Sequence, residues 1–215
     1  PSDTDSPEQL QKNADLAMYL AKEAARNTFR FYDTELNSVV ERRSFIEREL
    51  RGAIEANELE VYYQPKVSIA TGELVGAEAL VRWLHAEHGM VPPDEFIPIA
   101  ERNGLIGPIG EQTLRKACLQ FVSWHRAGFD HVMLAVNMSA AQFAIGNIPE
   151  MMSAVIAETG ISPAKLEIEL TETAIMEDMR NAIEVLHELH KIGVSLSIDD
   201  FGTGYSSLNY LRSFP

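Results

Sequence analysis

Three short, largely apolar runs decide the fold: HVMLAVNMS (131–139), KLEIELTE (165–172) and VSLSIDDFG (194–202). Between them lie PEMMSAVIAETG (149–160) and NAIEVLHELHKIG (181–193), which repeat apolar residues at helical spacing and stop at a glycine. A glycine just past a helix takes the left-handed conformation that ends it. Strand, helix, strand, helix, strand with mostly apolar strands predicts a parallel α/β sheet covered by helices.

Working upstream, LEVYYQPKVSI and ELVGAEALVRW flank a tight ATG turn and predict an antiparallel hairpin. DEFIPIAERNG and PIGEQTLRKACLQFVSWHRAG are two further helices with a glycine stop. Residues 34–57 carry Leu36, Val39, Val40, Ile46, Leu50 and Ile54 at helical spacing and form a long helix joining two modules. Residues 6–26 form another helix. Ser6 can cap it, Pro7 suits its first turn and Gln9 completes a capping box, while Leu10, Ala14, Ala17 and Ala21 make an apolar stripe. NTFRFY (27–32) follows as a short strand. This first unit is too small to bury its own stripe and reads as the end of something longer.

The 215 residues carry a net charge of −14, which argues against a basic nucleic-acid groove. An anion could bind such a chain locally only with a divalent cation between them. The single cysteine, Cys118, excludes a disulfide framework and a Cys-rich zinc site, and its apolar helical setting makes it a small core residue. Cysteine usage fits a reducing cytoplasm. No apolar run is long enough to cross a membrane.

In parallel α/β folds, functional side chains collect at the carboxyl ends of the strands. Here those ends carry Glu78 and Arg82, Asn137, Glu167 and Glu169 with Glu172 just beyond, and Asp199 with Asp200. These are hard oxygen donors of the kind Mg²⁺ takes. Clustered carboxylates repel one another unless a cation sits among them. Any one acid has a plainer explanation: Asp200 or Glu172 could cap the next helix, and Glu167 could be a buried structural acid. Four on successive strands, Glu78, Asn137, Glu169 and Asp199, are better explained by a metal site. Asp199 and Asp200 are adjacent, so strand geometry must break for both to reach it, and Gly202 and Gly204 permit that break. Such a pair could bridge two ions flanking an in-line phosphoryl displacement. Arg82 is read as the only cation on the strand faces, suited to a bidentate grip on phosphate or, alternatively, to a salt bridge with Glu78. His85 and His88 flank a turn and His187 and His190 lie on a helix, without zinc spacing.

YYQPKVSIATGELVGAEALVRW, PPDEFIPIAERNGLIGPIG, AVNMSAAQF, LEIELTET and SIDDFGTGYSSLNYL, in this order, resemble the EAL-domain family of bacterial cyclic di-GMP phosphodiesterases. EQLQKNADLAMYLAKEAARNTFRFY (8–32) resembles the C-terminal end of a GGDEF, diguanylate cyclase-type, domain. The resemblance implies a domain order of GGDEF tail over 1–32, connecting helix over 33–57 and the N-terminal two-thirds of an EAL domain over 58–215. It implies an α/β fold, a TIM-type (β/α)8 barrel with an antiparallel first strand, incomplete after about five strands. It implies hydrolysis of cyclic di-GMP to linear pGpG with Mg²⁺ or Mn²⁺, in a cytoplasmic homodimer whose parent can be membrane-anchored upstream. Glu78, Asn137, Glu169 and Asp199 match the family's metal ligands. Asp200 matches the aspartate tied to the second metal and the attacking water. Arg82 and Gln64 match substrate contacts, and Glu172 matches the glutamate anchoring the loop over 200–204.

The family's downstream lysine, glutamate and glutamine are not in this stretch, so the resemblance implies that the parent is the enzyme and the stretch alone is inactive. A receptor that holds cyclic di-GMP without cleaving it, or a regulatory interaction module, is the alternative; the full metal set argues against the receptor, and Arg82 with the Gly202 and Gly204 loop argues against the module. An open five-stranded piece exposes sheet edges and apolar surface. Expressed alone, the 215 residues are expected to aggregate; a monomeric elution profile with a cooperative melt would contradict this.

Overall fold

The computed structural model describes residues 6–24, 29, 31–145, 147–171, 175–176, 178–199 and 214–215. It divides into two compact units, residues 1–49 and 50–215. In the first unit, α1 (Pro7–Ala24) starts as the sequence predicts, with the Gln9 amide donating to Ser6 Oγ at 3.4 Å. Ala17 is buried with Leu36 of α2 (Thr34–Glu55), against Leu16, Tyr32 and Val40. Only the second half of the predicted stripe is covered, since Leu10 is exposed. The strand expected at 27–32 does not form at Phe29, Phe31 or Tyr32. A strand is held by hydrogen bonds to a neighbour, and this unit has no neighbouring strand among the described residues.

The second unit is a mixed six-stranded sheet. β1 (Leu59–Val67) and β2 (Leu74–His85) form the predicted antiparallel hairpin, with Gln64 opposite Glu78 and Lys66 opposite Gly76. β4 (Met133–Met138), β5 (Leu166–Thr171) and β6 (Ser195–Asp199) then add in parallel, in the order β1-β2-β4-β5-β6. The sixth strand, β3 (Gly89–Val91), pairs with the end of β2 and is one more than the five expected. Its three residues are too few to show an alternating pattern.

The helices are α3 (Pro93–Arg102), α4 (Ile106–Arg126), the unpredicted α5 (Ala140–Ile145), α6 (Ile148–Thr159) and α7 (Met179–Ile192). α6 and α7 end as predicted, on Gly160 and Gly193 at φ 73° and 98°. No helix among the described residues is long and apolar enough to cross a membrane.

The alternation of the strands sorts their side chains cleanly. One face sends Ala79, Leu134, Val136, Leu166, Ile168 and Leu170 into the core against α4, α6 and α7. Tyr63 stacks edge-on to Trp124 at 4.6 Å on this side. Cys118 is fully buried here, and burial pushes its thiol up to about 12, consistent with a packing role. The other face carries Gln64, Lys66, Glu78, Asn137, Glu167, Glu169 and Asp199 by register. Ile168 has no exposed surface. Ile168→Ala is expected to cost about 2–5 kcal/mol, read as a fall in the urea midpoint.

Candidate active site

Parallel register builds the site. Glu78 lies level with Ala135 on β4, and Asn137, one step further along that face, lies level with Glu169 on β5. Glu169 pairs with Ser197, and Asp199 lies one step beyond, level with Thr171. Four predicted residues therefore share one face at one end of the sheet.

Two contacts organise them. Asn137 Nδ2 donates to Glu78 Oε1 at 2.6 Å, a charge-assisted bond. Lys66 Nζ donates to Glu169 Oε1, linking β1 to β5 across the curved face. Flat strands would stand about 14 Å apart over three spacings, so only the curl of the sheet brings these side chains together. Glu169 is buried. Burial raises its carboxyl above the usual range, the Lys66 ammonium opposes that, and the charges of Glu78 and Glu167 add to the rise. Burial pulls Lys66 down, but its bond to Glu169 and the charges of Glu169, Glu167 and Glu78 outweigh it, so its ammonium is held above the ordinary lysine value.

Lys66 corrects the sequence reading, in which Arg82 was the only cation on the strand faces. Lys66 reads as a solvated charge at a strand end, and nothing local in the sequence reveals a partner 103 residues away. Arg82 does not pair with Glu78: its Nη1 donates to the Val81 carbonyl at 2.8 Å and its guanidinium lies 5.9 Å from the Tyr62 ring centroid. Gln64 is exposed, opposite Glu78. His85 is the last residue of β2 and holds the turn that follows, its Nδ1 accepting from the Glu87 and His88 amides at 3.1 and 3.2 Å. Glu172, Asp200 and the loop over 200–204 lie outside the described residues.

A cavity of about 490 Å³ opens beside this face. Arg82 and Asn137 line it from the sheet, Pro93 and Ile97 from α3, Thr113 from α4 and Gln142 from α5. Thr113 Oγ1 and Ser139 Oγ, at the same cavity, are buried without a hydrogen-bond partner. α5 begins with SAAQ (139–142), a capping signature present in the sequence but absent from the reading above. Gln142 Oε1 accepts from the Ser139 amide at 2.9 Å, which fixes the chain two residues after Asn137.

Oxygen donors on this face fit a hard divalent ion in kind. Ser197 Oγ, beside Glu169 in register, is a further buried oxygen without a partner. Among the described residues, no three His, Cys, Asp or Glu side chains are close enough to hold a metal by themselves. Asn137 falls outside that residue class.

The EAL domain family model matches residues 47–215. The chain belongs to the EAL-domain family. The chain is 44% identical to an uncharacterized signaling protein of Caulobacter vibrioides over 215 residues, all of this chain and 26% of that protein. It is 40% identical, again over the whole chain, to the bifunctional diguanylate cyclase/cyclic di-GMP phosphodiesterase MucR of Pseudomonas aeruginosa, covering 31% of it. The chain thus spans between a quarter and a third of these relatives. Among solved structures, PaMucR phosphodiesterase in its c-di-GMP complex superposes with a TM-score of 0.76 at 42% identity, over 80% of this chain and 69% of that one. The mixed sheet with its antiparallel β1 is the α/β arrangement of EAL domains, which are TIM-type barrels.

One small residue shapes the EAL cavity. A methyl group on Gly110 would sit 1.9 Å from Gln142 Nε2. Gly110→Ala is expected to push aside the flexible end of Gln142, and the roughly 1 kcal/mol that alanine gains over glycine inside a helix offsets that displacement, so the urea midpoint should move little.

Proposed function

We propose that the protein carrying this EAL domain hydrolyses one phosphodiester of cyclic di-GMP to linear pGpG in a metal-dependent reaction. The observation that carries the reading is the contact of Glu78 with Asn137 on the face shared with Glu169 and Asp199, beside a cavity lined by Arg82. Similarity to MucR, whose name states cyclic di-GMP phosphodiesterase, supports the substrate.

Glu78, Asn137, Glu169 and Asp199 would hold Mg²⁺ or Mn²⁺, with Asp200 serving a second ion. When bound, the metal would neutralise these carboxylates and lower the pKa of a water molecule for attack. Asn137, whose Nδ2 donates to Glu78, would hold the ion through its amide oxygen. Arg82 gives up the Val81 carbonyl to present its fork to a phosphate. Gln64, opposite Glu78, contacts the substrate from the β1 side. Glu172 anchors the loop over 200–204.

We further propose that residues 1–32 are the tail of a GGDEF domain, joined by a helix over 33–57 to the EAL domain over 58–215. The protein works in the cytoplasm as a homodimer through that domain.

Glu78→Ala in the protein at its natural length should abolish pGpG formation, followed by chromatography with cyclic di-GMP and Mg²⁺. A wild-type rate in that variant would remove Glu78 from the site. Tight binding of cyclic di-GMP by the unaltered protein without product would make it a receptor.

A further inference from the structure

We propose that Lys66 is a resident counter-cation of the metal site: it holds Glu169 when no divalent ion is bound and competes with the ion for that carboxylate. The proposal rests on the metal-site reading above.

The geometry points to this role. Lys66 stands at the far end of β1, opposite Gly76. Gly76 lets β4 approach β2 closely, since a methyl group there would lie 3.0 Å from the Met133 carbonyl, while its 3.7 Å from Lys66 Cβ would be ordinary contact. The side chain crosses β2 and β4 to reach Glu169 on β5, rather than turning out to solvent. Long lysine side chains ordinarily keep their charge in water. Here only about a third of the Lys66 side chain is exposed, and 11% of that of Glu169.

Charge explains the arrangement. Glu78, Glu167 and Glu169 all act on the Lys66 ammonium. Without a positive partner, a buried Glu169 among two other carboxylates would carry a large desolvation and repulsion cost. Asn137 Nδ2 serves Glu78 in the same way. Each of the two central carboxylates therefore has a nitrogen donor on an oxygen that would be needed to hold a metal ion. An ion entering the site meets Glu169 already engaged, and it also meets the Lys66 charge. A unit charge about 6 Å from a divalent ion changes its binding constant by about tenfold even at the dielectric of water.

A lysine that only braces the sheet would leave metal affinity unchanged when removed, so calorimetric Mn²⁺ titration separates the two roles. The protein at its natural length is compared with Lys66→Met, Lys66→Gln and Lys66→Arg. Met removes charge and hydrogen bond, Gln keeps a donor without charge, and Arg keeps the charge if either neutral variant folds poorly. The neutral variants are expected to bind Mn²⁺ about tenfold more tightly, with Arg close to wild type. Their metal-free forms should melt lower and recover on adding Mn²⁺. Unchanged or weaker Mn²⁺ binding in the neutral variants, with normal binding by the wild type, overturns the role of Lys66 alone. A wild type that binds no Mn²⁺ overturns the metal site and this proposal together.

Discussion

Everything at the candidate site depends on the register between β2, β4 and β5. Glu78 lies level with Ala135, and Asn137 with Glu169, because the three strands pair in parallel at fixed offsets. Side chains alternate between faces, so a slip of one residue would send these groups into the helix-covered core and bring Val136, Ile168 and Leu170 to the polar side. The core prevents that slip. Leu134, Leu166 and Ile168 have no exposed surface, and burying polar groups in their place would be far more costly than any local gain. Packing on one face thus holds chemistry on the other.

The polar face carries a charge problem that the fold answers with nitrogen donors. Three carboxylates, Glu78, Glu167 and Glu169, act together on one ammonium, Lys66. The side-chain amide of Asn137 takes up the oxygen of Glu78. Carboxylates brought this near each other store electrostatic strain that a divalent cation relieves, which links the stability of the sheet to metal occupancy under the proposed reading. The cavity beside them is set by less conspicuous residues. Gln142 ties α5 to the end of β4, and Gly110 leaves it room.

Much of this was legible in the chain itself. The hairpin, the alternating strands and helices and the helix-ending glycines follow from local rules: period two or period 3.6 in the apolar residues, and a left-handed glycine to stop α3, α4, α6 and α7. Strand ends then nominate Glu78, Asn137, Glu169 and Asp199, because parallel sheets gather function at one edge. Local rules failed where a partner was missing or distant. The strand expected at 27–32 has the right residues, but no neighbouring strand lies beside it among the described residues. β3 is too short to carry a pattern, and the capping signature of α5 passes unnoticed beside the stronger strand before it.

What only the tertiary structure decided is which polar groups meet. Residue type and spacing nominate oxygen donors, but pairing across the sheet depends on its curl and on strand order. Lys66 meets Glu169 across two intervening strands, Arg82 bonds to the backbone beside it rather than to Glu78, and Asn137 presents its nitrogen instead of its oxygen. Sequence by itself determines the elements and the chemical inventory, because those depend on neighbours a few residues away. The choice of partners depends on contacts between residues many tens of positions apart, and that information exists only once the chain has folded.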